Sequence, residues 1–531
     1  MKSVFILGAG VMQGPAICAA LEKGYRVVVA DGDAEAVNAP LAHEFLHIDL
    51  KDKAALLNAA RMIPDLAGIF TAGTDFSASV AYVAESLGLP GIGHEAALDA
   101  SDKSRMRIRL AQAGVAVPLF VSGGADEDPE ALAQSLFDRG AALPLVVKPV
   151  DNMGSRGCRL ARDASELRTS WADAIAHSRS GRAILEEYLD GPEFSIDALV
   201  QDGHIVIRGI ADRMVTFTPY FVELGHTMPS AYDEGIIAEI RTVFCQGVRA
   251  LGISSGAAKG DMKYTRKGAF VGEIAARLSG GYMSGWTYPY ASGIDPASEG
   301  IDLACGVQAQ FPEGPCAFVS AERAFISIPG ELSQLYGVSA ARRLPYIKDL
   351  FLRASAGDRL QFPMNNVQKA GNVISQAPNH ALAERYAEEA ARAVLLRLKP
   401  GDAETRAFLG LDGPLADKSR AALYDWAPPA YNPSAMLLGY VASMPDFLKL
   451  NKPAHSISIA RLPGMEGDLG CDWLGRSMEE SLALVERLCG VSIGNHADIV
   501  LGRSFWNALF KGGYQAAVWL VDTVYMEHAN T

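Results

Sequence analysis

The chain has 531 residues, of which 49% are hydrophobic and 21% charged; that is several domains' worth of length, with enough apolar material to exclude global disorder. A formal net charge of −13 excludes a non-specific nucleic-acid binder, which needs clustered Lys and Arg, but leaves room for a local basic pocket around a phosphate. Seven cysteines lie scattered without metal-ligand spacing, and their odd number gives no disulfide framework. No window reaches the roughly 20 uninterrupted apolar residues of a membrane span. The start, MKSVFILGAG, runs into a predicted strand with no cleavable apolar leader. A cytoplasmic, reducing setting is expected, with neither a membrane nor a nucleic acid as partner.

Residues 1–118 alternate short apolar runs (SVFILG, RVVVAD, AGIFTAG) with amphipathic stretches (PAICAALEKG, KAALLNAARM). The first read as buried parallel strands and the second as helices, so an α/β, doubly wound parallel sheet is expected here. Its first turn, GAGVMQG, invites a nicotinamide-dinucleotide reading, with Asp31 at the end of the next strand as a ribose ligand. The spacing is G-x-G-x-x-x-G rather than G-x-G-x-x-G, however, and bulky Met12 and Gln13 fill the place where a pyrophosphate would approach. The turn is therefore read as a βα connection of an entry domain, facing a substrate cleft.

From residue 119 to about 315 the pattern becomes mixed strand and helix, and 316–400 reads as a β-rich piece closed by a long helix. The Gly, Pro and Asp content of KPGDAETRAFLGLDGPLADKS marks a boundary, beyond which residues 401–531 form a further region with a proline-rich turn, WAPPAYNPS. Within it, SMEESLALVERLCG reads as an amphipathic helix, and the apolar, aromatic SFWNALFKGGYQAAVWLVDTVYM as the core of an added domain, a subunit interface or a lid.

Three central stretches carry chemistry. In LPLVVKPVDNMGSRGCRL a strand ends on Lys148 before a loop with Gly154, Ser155 and Gly157, the makings of a phosphate cradle or of a plain surface hairpin. In AILEEYLDGPEFSIDALV, Glu186, Glu187 and Glu193 interrupt an apolar pattern, and such carboxylates need partners if buried. In GAAKGDMKYTRKGAFVGEIAARLSGGYM, Asp261 and Glu273 fall nearly opposite each other in a hairpin turning at Arg266-Lys267-Gly268. Facing carboxylates repel unless a cation lies between them, and hard oxygen donors suit Mg²⁺; a solvated cross-strand pair of acids is the plain alternative. Arg277, Gly280 and Gly281 follow at the strand exit.

Lysine before a glycine loop, then E-E-x-L-x-G-x-E, then D…E…R, in this order, resembles the ATP-grasp superfamily, most of all its carboxylate–amine ligases and carbamoyl-phosphate-synthetase-like members. The likeness covers roughly residues 1–400 and includes ASDKSRMRIRLAQAGVAVPLF, with its lysine shortly before a Gly-Val-x-Val-Pro step. It implies a pre-ATP-grasp domain (1–118), a two-lobed ATP-grasp domain (119–315), a closing lobe (316–400) and an additional C-terminal domain (401–531). It further implies that Lys103 and Lys148 hold ATP phosphates under the glycine loop, that Glu186 and Leu189 flank the adenine, and that backbone at Glu187 and Tyr188 reads its edge. Glu193 then takes the ribose, Asp261 and Glu273 hold Mg²⁺ (with Mn²⁺ as the alternative), and Arg277 binds the carboxylate or its acyl phosphate. Ala275 stands where many relatives have Asn, and Asp261 where many have Glu.

The implied reaction activates a carboxylate as an acyl phosphate, which an amine displaces to form an amide, releasing ADP and phosphate. Both partners are then small molecules, at least one of them an amino acid; self-association through the C-terminal region is a further expectation. YFVELGHTMPS resembles the stretch bordering the acceptor site, making Glu223 and His226 candidates to bind the amine or take its proton. Tyr282, Met283 and Trp286 read equally as pocket lining or core. RLSGGYMSG replaces the R-x-Q-V-E-H stretch of biotin carboxylases, which disfavours bicarbonate and biotin chemistry. A nicotinamide oxidoreductase and an ATP binder without catalysis remain the alternatives.

Overall fold

The computed structural model of the chain describes residues 1–312, 314–411, 434–444, 472, 475–491 and 502–529. These divide into two compact units, Met1–Glu322 with Ile374–Glu384, and Arg323–Val373 with Arg385–Thr531. The first unit opens with a four-stranded sheet of β1 (Ser3–Leu7), β2 (Arg26–Asp31), β3 (Glu44–His47) and β4 (Leu66–Phe70), in the order β3-β2-β1-β4 with parallel pairing. Strand β1 is buried along its whole length because both faces are covered. Val4 and Ile6 pack with Ala16 and Ile17 of helix Gly14–Glu22, while Phe5 and Leu7 point the other way, towards Leu56 and Leu57 of helix Lys53–Met62.

The turn after β1 is filled from within. Gly8 has φ +101°, and a Cβ there would lie 2.9 Å from Gln13 Cδ, so both the backbone and the neighbouring side chain demand glycine. Gln13 folds back, accepting from Gly10 N at 2.9 Å and donating to the Ala72 carbonyl. Asp31 accepts from Ala9 N at 2.8 Å and from Asp33 N at 2.9 Å, which commits its carboxylate to the turn. A dinucleotide would have to expel Gln13 and break Asp31's bonds. The far side of the turn meets the segment after Arg277: Gly73 N donates to Leu278 O at 3.2 Å, and a Cβ on Gly73 would sit 2.7 Å from Met12 Cβ and 3.2 Å from Gly280 Cα.

Next comes a small antiparallel sheet of β5 (Phe120–Gly124), β6 (Leu145–Pro149), β7 (Arg159–Ala161) and β8 (Arg182–Glu187), ordered β5-β8-β6-β7. Leu145, Val147, Ala183 and Leu185 bury one face against helices Pro129–Phe137 and Ala164–His177. By period-two alternation, Val146, Lys148 and Glu186 therefore share the opposite face. A larger antiparallel sheet follows, with β9 (Glu193–Gln201), β10 (His204–Thr216), β11 (Val222–Met228), β12 (Gly256–Thr265), β13 (Gly268–Ala275) and β14 (Val319–Phe325) in the order β13-β12-β9-β10-β11-β14. Phe194, Ile196, Met262, Val271 and Ile274 pack on helix Glu234–Ala250, so Glu193, Ser195, Asp197, Lys259, Asp261, Lys263 and Glu273 line the other face.

The second unit contains β15 (Gly330–Tyr336), β16 (Ile347–Leu352), β17 (Arg359–Leu360), the start of β18 (Gly371–Ala377) and β19 (Leu395–Leu398), with a sheet ordered β17-β15-β19. Its core is built on Phe505, Trp506, Phe510 and Trp519 of helix Arg503–Ala529, which is kinked at Gly513 (φ 60°, ψ −157°). SMEESLALVERLCG forms helix Met478–Cys489, opened by a Ser477–Glu480 capping box and closed by left-handed Gly490. The turn WAPPAYNPS lies outside the described residues up to Asn432 and Pro433. Among the described residues no helix is long and apolar enough to cross a membrane.

Replacing Gln13 with Ala should strip the turn of its internal partners and destabilise the protein by about 1–3 kcal/mol, read as a lower thermal midpoint. Unchanged stability would mean that the turn does not depend on Gln13.

Candidate active site

One cleft lies between the inner faces of the two antiparallel sheets of the first unit. Lys103, Lys148, Gly154, Ser155, Glu186, Glu187, Tyr188, Leu189, Glu193, Asp261 and Glu273 all line it. Residues distant in sequence thus converge, because strand alternation turns one set of polar positions towards the cleft and the apolar set towards the helices.

At the small-sheet wall, Glu186 is 2% exposed and sits between two cations. Arg107 Nε donates to its Oε1 at 2.7 Å and Lys148 Nζ to its Oε2 at 2.7 Å. Burial alone would raise the Glu186 pKa, but the Arg107 and Lys148 charges outweigh it and bring it down to about 2. Lys148 is correspondingly raised, the Glu186 charge overcoming desolvation. Glu186 is therefore a structural counter-ion for the lysine as well as a lining residue. Arg107 was not singled out from the sequence. Its signal was spacing: it lies one turn after Lys103 on helix Lys103–Gln112, so the two basic side chains share a face.

The loop between β6 and β7 has Gly154 (φ 68°), Ser155 (φ 60°) and Gly157 (φ 68°) in left-handed conformation. The N–H groups of Gly154, Ser155 and Gly157 make no hydrogen bond to a described residue. Gly157 itself faces away: a Cβ there would lie 2.8 Å from His177 Cβ, so its glycine is required for packing on helix Ala164–His177. Lys103 Nζ donates to Asn152 O at 2.7 Å and ties the loop to the helix start. At the apolar end, Tyr188 packs on Phe221 at 6.4 Å with Lys263 Nζ 5.6 Å from its ring, and Glu187 N donates to Leu119 O at 2.9 Å. Cys158 also lines the cleft, but burial pushes its thiol up to about 11, against the pull of Lys148 and Lys103, so it is a poor nucleophile.

On the large-sheet wall, Asp261 and Glu273 are direct cross-strand partners. A bulge makes this so: Met262 pairs with Val271 and Asp261 with Glu273, leaving Gly272 as the extra residue. Its freed carbonyl accepts from Arg107 Nη2 at 2.6 Å, and a Cβ on Gly272 would come within 2.9 Å of Asp261 O. Asp261 accepts from Ser195 Oγ at 2.9 Å and pairs with Lys259 and with Arg213 at 3.2 Å. Burial opposes its ionisation, yet Arg213 and Lys259 hold its pKa well below the usual carboxylate range. Glu273 is likewise lowered, Lys103 and Lys259 outweighing burial, while its carboxylate makes no hydrogen bond or ion pair to a described residue.

Arg213, absent from the sequence-based candidates, is the hub of this wall. Its guanidinium reaches Glu193 at 3.3 Å, Asp261 at 3.2 Å and Glu223 at 2.6 Å, and Lys263 completes the group by pairing with Glu193 at 2.9 Å. Glu223 and His226, three residues apart on β11, would normally point to opposite faces. A bulge brings both to the Arg213 side, since Val215 pairs with Glu223 and Met214 with Gly225. His226 is buried, with Nε2 2.8 Å from Thr287 Oγ1 and Nδ1 3.3 Å from Glu322. Glu223 thus joins the cleft through Arg213 rather than by lining it, while His226 turns to Thr287 and Glu322.

A second cavity shares Lys103, Asn152, Met153 and Glu273 with the first and has Arg277 in its wall. Arg277 is 7% exposed, the one hydrogen bond its guanidinium makes to a described residue is to Leu278 O at 2.9 Å, and burial lowers its pKa against the pull of Glu273. Asp197, fully buried, accepts from Ser279 N at 2.8 Å and so anchors the strand exit that carries Arg277. Tyr282 and Met283 are buried, and Tyr282 packs edge-on against Trp286 at 5.3 Å.

A cleft between two antiparallel sheets, with a basic phosphate-loop wall and a two-carboxylate wall, is the arrangement of an ATP-grasp protein, and residues 141–285 match the ATP-grasp domain model. Residues 141–285 thus carry an ATP-grasp domain, and residues 324–399 match the L-amino acid ligase C-terminal domain 2. It is 27% identical over 340 residues to an uncharacterized protein of Sinorhizobium fredii, covering 63% of this chain and 69% of that one. It is 26% identical over 409 residues to carnosine synthase 1 of Gallus gallus, covering 71% of this chain but only 43% of that longer protein. Among solved structures, an L-amino acid ligase from Bacillus licheniformis superposes with a TM-score of 0.67 at 20% identity, over 75% of this chain and 99% of that one.

Glu186→Gln should leave two buried cations facing a neutral amide and cost about 3 kcal/mol in urea unfolding. Because the Glu186 carboxyl is depressed to about 2, its contribution is complete above the ordinary glutamate value and fades as the pH falls through about 2. Wild-type stability should therefore lose an acid-side component that the variant never had; parallel pH profiles would contradict this.

Proposed function

We propose that the protein is an ATP-dependent carboxylate–amine ligase that joins two small molecules, at least one of them an amino acid, and releases ADP and phosphate. The observation that carries this is the facing pair Asp261 and Glu273 beside Lys103, Lys148 and the glycine loop, with the buried cation Arg277 just beyond. The L-amino acid ligase C-terminal domain and the likeness to carnosine synthase support an amide-forming reaction.

Asp261 and Glu273 offer hard oxygen donors on one face, a set that fits Mg²⁺ or Mn²⁺. Such an ion, when bound, screens charge between phosphate oxygens. Lys148 and Lys103 hold the phosphates, and the free N–H groups of Gly154 and Ser155 close over them, excluding water. Tyr188, Leu189 and Phe221 form the apolar slot for the base, and Glu193 lies where the ribose hydroxyls fall. Arg277 holds the substrate carboxylate in line with the γ-phosphate and neutralises the acyl phosphate as it forms. The amine then attacks the acyl carbon and expels phosphate; Glu223 orients it and His226 accepts its proton. No enzyme nucleophile is required.

Purified protein with Mg²⁺-ATP is to be offered amino acids and β-alanine singly and in pairs, with ADP followed and products weighed by mass spectrometry. ADP release that depends on a pair, with a product of the summed mass less one water, is expected. Nucleotide binding without stimulation by any carboxylate–amine pair would point instead to an ATP binder without catalysis. Glu273→Gln should lower turnover by about 100-fold or more; intact turnover would remove Glu273 from the metal site.

A further inference from the structure

The wall that carries Asp261 holds an ion-pair group of Arg213, Lys259 and Lys263 with Glu193, Asp261 and Glu223. Within it the Arg213 guanidinium is divided among three carboxylates on three strands. Nη1 serves both Glu193 at 3.3 Å and Asp261 at 3.2 Å, longer than a well-formed ion pair, while Nε and Nη2 both reach Glu223 Oε2, at 2.9 and 2.6 Å. Glu223 and Asp261 therefore share a cation and compete for it. We propose that Arg213 is a positioning residue that couples the two sites of the reaction, so that a metal ion at Asp261 pushes the guanidinium onto Glu223, and a cation at Glu223 pushes it back onto Asp261. This rests on the proposal that Asp261 helps to hold the metal and Glu223 the amine.

The physical basis is short-range. A divalent ion at Asp261 repels a guanidinium 3.2 Å from the same carboxylate and takes the charge that held it. The nearest alternative anion for Arg213 is Glu223, already bonded through two nitrogens. Conversely, neutralising Glu223 leaves Asp261 and Glu193 as the only partners of Arg213 in this group, which raises the barrier to metal entry. Because linkage is reciprocal, the same factor acts in both directions. An ammonium at Glu223 and a metal nucleotide at Asp261 are then mutually antagonistic.

The test is a double-mutant cycle on Mn²⁺ affinity with the non-hydrolysable AMP-PNP present, read by electron paramagnetic resonance of free Mn²⁺. Glu223→Gln in the wild-type background should weaken Mn²⁺ binding by about fivefold or more, Arg213→Met should tighten it, and Glu223→Gln added to Arg213→Met should change it by less than about twofold. Equal effects of Glu223→Gln in both backgrounds would overturn the coupling, because direct Coulomb attraction needs no guanidinium between the two sites. Should Arg213→Met fail to fold by circular dichroism, Arg213→Lys replaces it: one ammonium cannot span three carboxylates, so the Glu223→Gln effect should shrink in the same way, and an undiminished effect would again overturn the coupling. If wild-type protein takes up no Mn²⁺ with AMP-PNP, it is the metal assignment that fails, a result distinct from additivity between the variants.

Discussion

The carboxylates of Glu186, Glu193 and Asp261 are each held between two cations, and the rest of the cleft depends on that arrangement. A nucleotide-phosphate site needs lysines and arginines drawn into a partly buried space, where an unpaired charge is costly. Acids on adjacent strands lower that cost before any ligand arrives. The counter-charge also keeps Lys148 an ammonium, because Glu186 offsets its desolvation.

Two one-residue irregularities set the geometry. Were Gly272 paired in a regular ladder, Glu273 would be carried to the face packed on helix Glu234–Ala250; were β11 regular in the same way, Glu223 and His226 would be split between faces. One bulge adjoins Glu273, which lines the cleft, and the other adjoins Glu223, which pairs with Arg213. The one at Gly272 also frees a carbonyl for Arg107, tying the small-sheet lysine wall to the metal-ligand candidates through a single guanidinium.

Much of this was legible in the sequence because the relevant residues are local to one another. Lys148 lies beside its loop, Glu186 and Glu193 flank one turn, and Asp261 and Glu273 flank one hairpin, so short-range spacing was enough to group them. The doubly wound entry sheet was legible from apolar runs alone, and the filled turn from the bulk of Met12 and Gln13. Arg107 and Arg213 were not legible, since Arg107 meets Glu186 across 79 positions and Arg213 joins three strands whose register depends on bulges. The second role of Glu186, as counter-ion, was hidden for the same reason. Gly157 looked like part of the phosphate cradle because the spacing of glycines does not reveal which one is needed for packing against a helix.

The contact between Gly73 and Gly280 has a practical side. The entry domain touches the strand exit that carries Arg277 backbone to backbone, with Met12 wedged alongside and no room for a methyl group on Gly73. A chimera that grafts a different entry domain onto this catalytic frame has to preserve glycine on that seam, or Arg277 will be displaced even though no residue of the cleft has been changed.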